Sequence, residues 1–209
     1  MRTFAILPVK SFGRAKQRLT GGYPDRPSLA AAMVADVIDA LTAVSEIEEV
    51  IVVTAQAVSA DTRVRIVPDP AETGQSPAAL RGIAVALERG AERVLLVPGD
   101  CPTLDPAEVR SLLTRAEPVV IVPDRHGTGT NALLLTPPDV MPPAFGEGSC
   151  ARHRGLGEDA GVAVGLASVP SLGLDVDTPD DLAALRRALA ARPGGAARTR
   201  ALLGEAAVA

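Results

Sequence analysis

The alternation of short apolar segments with longer Ala/Leu-rich segments constrains the fold of this 209-residue chain more than any other feature. Segment 3–9 is almost continuously apolar, which is typical of a strand buried on both faces of a sheet. Apolar residues from Leu29 to Leu41 instead recur at helical spacing within 28–44, where Ser28 is the expected N-cap. Repeated strand–helix alternation predicts an α/β fold with a mostly parallel sheet covered by helices on both sides.

The same patterns place the remaining elements. Strands are expected at 3–9, 50–54, 65–67, 93–97, 118–122, 131–135 and 161–169. Helices are expected at 28–44, 77–89, 106–115 with Asp105 as cap, and 179–191 with Thr178 as cap. The hairpin-like pair at 118–135 predicts that the later strands run mixed. We expect one domain over residues 1–192, followed by an Ala/Arg-rich, loosely packed tail over 193–209.

Composition excludes several classes of protein. Aromatic residues make up only 2% of the chain and the net charge is −4, which argues against a nucleic-acid surface built on base stacking and cations. No stretch reaches the roughly 18 apolar residues of a membrane span, and the first residues lack the order of a signal peptide. Cys101 and Cys150 are too widely spaced for a disulfide framework. These features predict a cytoplasmic protein.

The loop after the first strand is basic. In open α/β sheets ligands bind at the carboxyl ends of the strands, so the loops after Val9, Thr54, Val97 and Leu135 are the places to search. The first of them carries four cations, Lys10, Arg14, Lys16 and Arg18, beside Ser11-Phe12-Gly13, whose backbone N–H groups could meet an anion. This pattern predicts a triphosphate site, although it is no Walker loop. The alternative is a solvated basic loop.

Two further segments carry acidic side chains in positions that suit a magnesium ion. Asp100 ends an apolar strand in a tight Gly/Pro turn, and Asp175 and Asp177 stand two residues apart, so that both face one side of an extended segment. Like charges this close favour a shared cation, and carboxylates are typical Mg²⁺ ligands. The alternatives are that Asp100 only forms the turn and that Asp177 or Thr178 caps the following helix.

Two Gly-containing loops are candidates for substrate contacts. The segments 127–131 and 146–149 combine Thr and Ser hydroxyls with Gly-freed N–H groups, which suits a small phosphorylated carboxylate; a hairpin turn and an ordinary N-cap are the alternatives. The loop 74–76 enters a helix, where Gln75 and Ser76 could read a base edge or a ribose, or could simply precede the Pro of the first turn. His126 and His153 form no metal-ligand pair and are expected to be solvated.

These segments, taken in order, resemble a known family, the 2-phospho-L-lactate or phosphoenolpyruvate guanylyltransferases, which act in the biosynthesis of the deazaflavin coenzyme F(420). The matching residues are Pro8-Val9-Lys10, Ala15-Lys16, Arg18-Leu19, Gly99-Asp100-Cys101-Pro102, Thr130-Asn131, Phe145-Gly146, Ser149 and Asp175-Val176-Asp177-Thr178-Pro179. The resemblance spans roughly residues 3–190. It implies a Rossmann-like, glycosyltransferase-A-like nucleotidyltransferase fold, GTP as donor, pyrophosphate as leaving group, Mg²⁺ as cofactor and a homodimer.

The resemblance also implies roles for individual residues. By position, Asp100, Asp175 and Asp177 would hold the metal, and Thr130, Gly146 and Ser149 would hold the phosphorylated acid. Lys10, Lys16 and Arg18 would meet the triphosphate, Gly74 and Ser76 would contact the nucleotide, and Asp100, Lys10 and Lys16 would be catalytic. One departure is the run Gly74-Gln75-Ser76-Pro77-Ala78-Ala79-Leu80 where the family often has a Gly-Leu-Asn-Ala-Ala-Leu-like run, so the nucleobase stays open.

Several alternatives remain at this level. A composition typical of actinobacterial genomes favours phosphoenolpyruvate over 2-phospho-L-lactate as acceptor, and 3-phosphoglycerate is a third candidate. A nucleotidyltransferase of sugar, isoprenoid or molybdopterin metabolism would typically carry a Gly-rich loop where this chain has Pro8-Val9-Lys10-Ser11. A non-catalytic nucleotide-binding module would be expected to lack the three aspartates.

Overall fold

The computed structural model describes residues 1–13, 19, 23, 25–58, 62–192 and 194–204. Its strands are β1 Thr3–Val9, β2 Ile47–Thr54, β3 Val64–Pro68, β4 Arg93–Leu96, β5 Val119–Pro123, β6 Thr130–Leu135 and β7 Val164–Leu166. Its helices are α1 Arg26–Thr42, α2 Gln75–Glu88, α3 Pro106–Leu113, α4 Ser149–Asp159, α5 Pro179–Ala191 and α6 Ala197–Leu203, with a 3-10 turn at Pro170–Leu172.

The seven strands form one sheet in the order β3-β2-β1-β4-β6-β5-β7. Each neighbouring pair is parallel except the two pairs that involve β6, which runs antiparallel between β4 and β5. Leu96 at the end of β4 lies opposite Leu133, so the first residues of β6 lie beyond the carboxyl end of β4. The predicted mostly parallel, mixed sheet is confirmed, and its reversed strand begins at the edge where the parallel strands end.

Both faces of the sheet are covered, which explains the continuously apolar sequence of β1. Ala5 and Leu7 pack into the core beneath α1 and α3, whereas Phe4 and Ile6 pack into the core beneath α2 and α4, and all four side chains are fully buried. Burial of apolar surface contributes roughly 25 cal/mol per Å², so two such faces supply most of the driving force for folding. The predicted three-layer αβα arrangement is therefore confirmed.

The bounds of two elements differ from the predicted ones because local hydrogen bonds determine where each element begins. Helix α1 begins at Arg26 because the Asp25 side chain accepts the N–H of Ser28 at 3.2 Å, so Ser28 is not the N-cap. The predicted caps Asp105 and Thr178 are confirmed. The expected strand at 161–169 shortens to β7, because Gly161 has a φ of +70° and its N–H bonds back to Glu158 at the end of α4.

The C-terminal segment that the structure describes is not loosely packed. Helix α6 lies against α1, and Thr199 and Arg200 are almost fully buried. The buried carboxylate of Asp36 in α1 accepts the N–H groups of Arg198 at 3.1 Å and of Thr199 at 2.8 Å, which ties down the first turn of α6. The expected loose tail is wrong for residues 197–203, whereas the division of the chain at residue 192 stays a prediction. No helix within the described residues is long and apolar enough to cross a membrane.

Candidate active site

A cleft of about 280 Å³ opens at the carboxyl edge of the sheet, between the N-terminal halves of α1 and α2. The residues that line it include Lys10, Asp69, Glu72, Gly74, Asp100 and Asp177. Lys10 follows β1, Asp69 follows β3 and Asp100 follows β4, as expected for a sheet whose parallel strands all end at one edge. The structure thus brings the predicted nucleotide-binding residues Lys10 and Gly74 to the same cavity as two of the predicted metal ligands.

The three aspartates are electrostatically coupled. The N–H of Val176 donates to the backbone carbonyl of Asp100 at 3.3 Å, so the segment 175–177 is tied to the loop after β4. Burial raises the pKa of the Asp175 carboxyl, and the charges of Asp100 and Asp177 raise it further, although a hydrogen bond from Asn131 at 3.4 Å acts in the opposite direction. A cation in this cluster would relieve that repulsion.

The donor set fits magnesium and does not form a closed cage. Among the residues that the structure describes, no group of three or more His, Cys, Asp or Glu side chains is arranged to bind a metal ion. Mg²⁺ does not require such a cage, because it usually keeps several waters and is held by one or two carboxylates together with substrate phosphates. The carboxylates of Asp100 and Asp175 are electrostatically coupled to each other and to Asp177. They are ligands of the type that such an ion needs.

The segment that carries Asp177 is fixed by a capping box at the start of α5. Thr178 caps the helix, and the Asp181 carboxylate accepts the N–H groups of Asp177 at 3.1 Å and Thr178 at 2.8 Å. Arg125, from the loop after β5, pairs with Asp181 at 2.5 Å. Burial works against the charge of Asp181, but these hydrogen bonds leave its pKa lowered. Thr178 therefore makes the cap, and the Asp177 side chain lines the cleft.

A β-bulge at Asn131 aims two polar side chains in opposite directions. Val122 pairs with Ala132 but the next residue of β5, Pro123, pairs with Thr130, so Asn131 is the extra residue. Strict alternation would put Thr130 on the α1/α3 face with Ala132. Instead Thr130 contacts His153 of α4, and Asn131 donates to the carbonyl of Leu172 and to Asp175. Bulges are common next to active sites because they redirect side chains in this way.

Thr130 lies beside α4 in a buried polar group with His153. The two side chains are 2.9 Å apart, Oγ1 to Nδ1, and His153 is fully buried, with its ring edge-on to that of Phe145. The backbone N–H of Ala144 donates to Nε2 of His153 at 2.8 Å. The expectation that His153 is solvated is wrong, because its neighbours lie 9 and 23 residues away in the chain and leave no signal in the local sequence.

The loop before α4 carries the other predicted acceptor residues and leads into a helix that contacts the β5–β6 hairpin. Gly146 and Gly148 have positive φ values of +116° and +68°, and Ser149 is buried in the first turn of the helix, which confirms that it opens a helix. The N–H of Cys150 donates to the carbonyl of Thr128 at 3.1 Å, so the helix N-terminus is docked on the β5–β6 hairpin. We call this group of Thr130, His153 and the loop 144–149 the α4 pocket. Thr130, Gly146 and Ser149 are not among the residues that line the cleft.

Two segments with predicted ligand contacts also make structural links. Residues 127–129 form the hairpin turn, since Asp124 accepts the N–H groups of His126 at 3.1 Å and Thr128 at 3.0 Å. The Ser76 hydroxyl accepts the N–H of Phe145 at 2.9 Å, so it joins the start of α2 to the α4 pocket. Whether Ser76 also contacts a nucleotide stays a prediction.

Ser11, just after β1, is held by a residue that the sequence patterns did not single out. Glu72 accepts both the N–H of Ser11 at 2.5 Å and its hydroxyl at 2.7 Å, and Glu72 itself has a φ of +44°, a rare conformation for a residue with a side chain. The N–H of Ser11 is thereby committed to Glu72 rather than to an anion. Arg14, Lys16 and Arg18 lie outside the described residues.

Comparison with known proteins decides the class to which this site belongs. A family model described as guanylyl transferase CofC-like matches residues 3–186. The chain belongs to this family. It is 53% identical to phosphoenolpyruvate guanylyltransferase of Conexibacter woesei over 98% of this chain and 96% of that protein. It is 34% identical to the enzyme of the same name from Sphaerobacter thermophilus over 87% of this chain and 91% of that protein.

The fold is shared with more distant proteins. A nucleotidyl transferase of Methanothermobacter superposes with a TM-score of 0.65 at 20% identity, covering 90% of this chain and 97% of the other. At that identity the likeness concerns the fold alone. Together with membership in the guanylyl transferase family, it confirms the predicted family, fold and enzyme class, a nucleotidyltransferase.

Proposed function

We propose that this protein transfers GMP from GTP to phosphoenolpyruvate, with release of pyrophosphate, in the biosynthesis of the deazaflavin coenzyme F(420). The proposal rests on the first residues of β6, where two neighbouring side chains contact the carboxylate cluster and the α4 pocket. Asn131 bonds to Asp175 of the carboxylate cluster, and its neighbour Thr130 lies in the α4 pocket. A donor at the cleft and an acceptor at the pocket would meet across this strand end. The names of the relatives in Conexibacter and Sphaerobacter support phosphoenolpyruvate over 2-phospho-L-lactate and 3-phosphoglycerate.

The donor half of the site would be the cleft. Lys10, which follows β1 and lines the cleft, would supply a positive charge for the triphosphate, and Lys16 and Arg18 of the same loop would add two more. The nucleoside would lie along Gly74 at the entry to α2, where a φ of +132° leaves room for backbone approach without a Cβ. GTP is the proposed donor because the family is one of guanylyl transferases.

Asp100, Asp175 and Asp177 would hold Mg²⁺, which when bound neutralises part of the negative charge that donor and acceptor bring together. Asn131 and Asp181 would keep this cluster in place. Asn131 does so through its hydrogen bond to Asp175, and Asp181 through the N–H groups of Asp177 and Thr178. The carboxylates thus sit on backbone segments that are fixed before substrate arrives.

The acceptor half of the site would be the α4 pocket. The Thr130 hydroxyl and the loop from Gly146 to Ser149 would hold the carboxylate and phosphate of the acid, with the positive end of the α4 dipole behind them. An oxygen of the acceptor phosphate attacks the α-phosphorus of GTP in line. A new P–O–P bond forms as the bond to the β-phosphate oxygen breaks and pyrophosphate leaves. The acceptor phosphate is already ionised near neutral pH, so no strong general base is required.

A direct assay tests this proposal. Purified protein is incubated with Mg²⁺, one nucleoside triphosphate and one phosphorylated acid, and both pyrophosphate and the nucleotidylated acid are quantified, the latter by mass spectrometry. GTP with phosphoenolpyruvate should give the highest turnover; ATP, CTP and UTP, and 2-phospho-L-lactate and 3-phosphoglycerate, are the comparison arms. Preference for another nucleotide, or no pyrophosphate with any acid, would overturn the proposal. The homodimer and the cytoplasmic location stay predictions.

A further inference from the structure

We infer that His153 is a positioning residue that makes the Thr130 hydroxyl a hydrogen-bond donor to the anionic acceptor. The inference rests on the proposed function, because it assigns the anion in the α4 pocket to the phosphorylated acid. The sequence assigned no role to His153, but in the structure its imidazole ring contacts the N–H of Ala144, the hydroxyl of Thr130 and the ring of Phe145.

The hydrogen bonds of His153 determine which ring nitrogen carries the proton. The backbone N–H of Ala144 points at Nε2 from 2.8 Å and, being an amide N–H, can only donate. Nε2 must therefore present its lone pair, and the proton of the neutral ring is on Nδ1. The only partner of Nδ1 in the described residues is Oγ1 of Thr130 at 2.9 Å, so Nδ1 donates and the hydroxyl oxygen accepts.

The surroundings of His153 keep the ring neutral. Its side chain is fully buried, and burial lowers its pKa to about 4, helped by the neighbouring positive charge of Arg152. At neutral pH the ring therefore holds one proton, and the Ala144 amide fixes its place. A histidine that can take only one tautomer transmits a fixed hydrogen-bond direction to its other partner.

The direction of that hydrogen bond decides what Thr130 offers a ligand. A threonine hydroxyl has one proton, and since the oxygen accepts from His153, the proton is available to another acceptor. Within the described part of the chain the Thr130 hydroxyl has no second partner. With the opposite tautomer the hydroxyl would donate to the ring and would present only lone pairs to an anion, which repels them. His153 thus makes the α4 pocket present a hydrogen-bond donor, rather than lone pairs, to an anion.

Two substitutions at His153 separate this role from simple packing. The side-chain amide of Asn reaches the place of Nδ1 and can still donate to Thr130, whereas that of Gln reaches the place of Nε2 and can still accept from Ala144. We expect His153→Gln to raise KM for phosphoenolpyruvate roughly tenfold, because the Thr130 hydroxyl, no longer held by Nδ1–H, donates less well to the charged acceptor, with KM for GTP within about twofold. His153→Asn should stay within about threefold of wild type for both. His126→Gln, at the exposed second histidine, is the matched control.

A double-mutant cycle tests whether the effect passes through Thr130. Thr130→Val removes the hydroxyl while keeping the shape of the side chain. If His153 acts by orienting that hydroxyl, His153→Gln adds no further increase in acceptor KM to the Thr130→Val protein. Additive effects, or equal rises in KM for GTP and for phosphoenolpyruvate, would mean that His153 only supports the fold and would overturn the inference.

A measurement without turnover covers the case in which a variant fails to fold. The ¹⁵N spectrum of labelled imidazole distinguishes protonation at Nδ1 from protonation at Nε2, and since the chain has only two histidines, the His126→Gln protein gives the assignment directly. Wild-type protein at neutral pH should show the Nδ1–H tautomer of His153; the Nε2–H tautomer would overturn the inference. Failure of wild type to transfer GMP would instead count against the proposed function and leave this spectrum readable.

Discussion

The cleft and the α4 pocket lie on either side of one strand end, and they organise polar groups in opposite ways. At the cleft, Asp100 and Asp177 line the cavity, and burial together with their two charges raises the pKa of the neighbouring Asp175 carboxyl. In the α4 pocket both ring nitrogens of His153 are hydrogen-bonded, to Ala144 and to Thr130, and the Thr130 hydroxyl keeps its proton for a ligand. A cation at the cleft would relieve part of the charge repulsion on Asp175, whereas the hydrogen bonds of the α4 pocket form without a ligand.

The largest expected effect comes from removing a charge in the cleft. Asp100→Asn should lower kcat by on the order of 10³-fold, because the substituted amide is a poor magnesium ligand while the shape of the loop is kept. The melting temperature should not fall, since the repulsion on Asp175 is relieved. Pyrophosphate release and thermal unfolding measure the two quantities, and the exposed Asp139→Asn is the control. An Asp100→Asn enzyme within threefold of wild type would remove Asp100 from the metal site.

The buried neutral His153 of the α4 pocket should make the free energy of unfolding depend on pH. The pKa of His153 is lowered to about 4 from an unfolded value near 6.5, so the unfolded chain binds the proton more tightly. Stability should therefore fall as the pH drops below about 6.5, with a loss of roughly 3 kcal/mol once the pH reaches the folded pKa. Chemical unfolding of wild type, His153→Asn and His126→Gln at several pH values tests this. Only His153→Asn should flatten the curve between pH 6.5 and 4; an unchanged slope contradicts the assignment.

A smaller effect is expected from the anchor of Asp177. Asp181→Asn weakens the capping box and the contact with Arg125, so Asp177 should be held less firmly. We expect about a tenfold rise in the magnesium concentration for half-maximal activity and a loss of about 1 kcal/mol of stability, the usual value of a helix cap. Asp180→Asn, one residue earlier and exposed, is the matched control and should change neither. If both variants behave alike, Asp181 contributes only to the favourable charge at the start of the helix.

The two regions also differ in how far their residues could be predicted from sequence. Lys10, Gly74 and Asp100 meet in one cleft because parallel strands end at the same edge, which strand–helix alternation already implies. The α4 pocket depends on features without a local pattern. The bulge at Asn131 reverses the facing of Thr130, and the burial of His153 depends on Phe145 and on strand β6. Asp36 is another such case, since only the presence of α6 explains a carboxylate on the buried face of α1.

The smallest expected effect concerns the link between the two regions. Ser76, at the start of α2 on the cleft side, accepts the N–H of Phe145 in the α4 pocket at 2.9 Å. Ser76→Ala should raise KM for GTP and for phosphoenolpyruvate together, by about three- to fivefold. The reason is that the lost hydrogen bond, of about 1 kcal/mol, holds both the start of α2 and the loop of the α4 pocket in place. Ser76→Thr keeps a hydroxyl and should restore both constants. A rise in the KM for GTP alone would show that Ser76 contacts the nucleotide directly, and the cleft and the α4 pocket would then act independently.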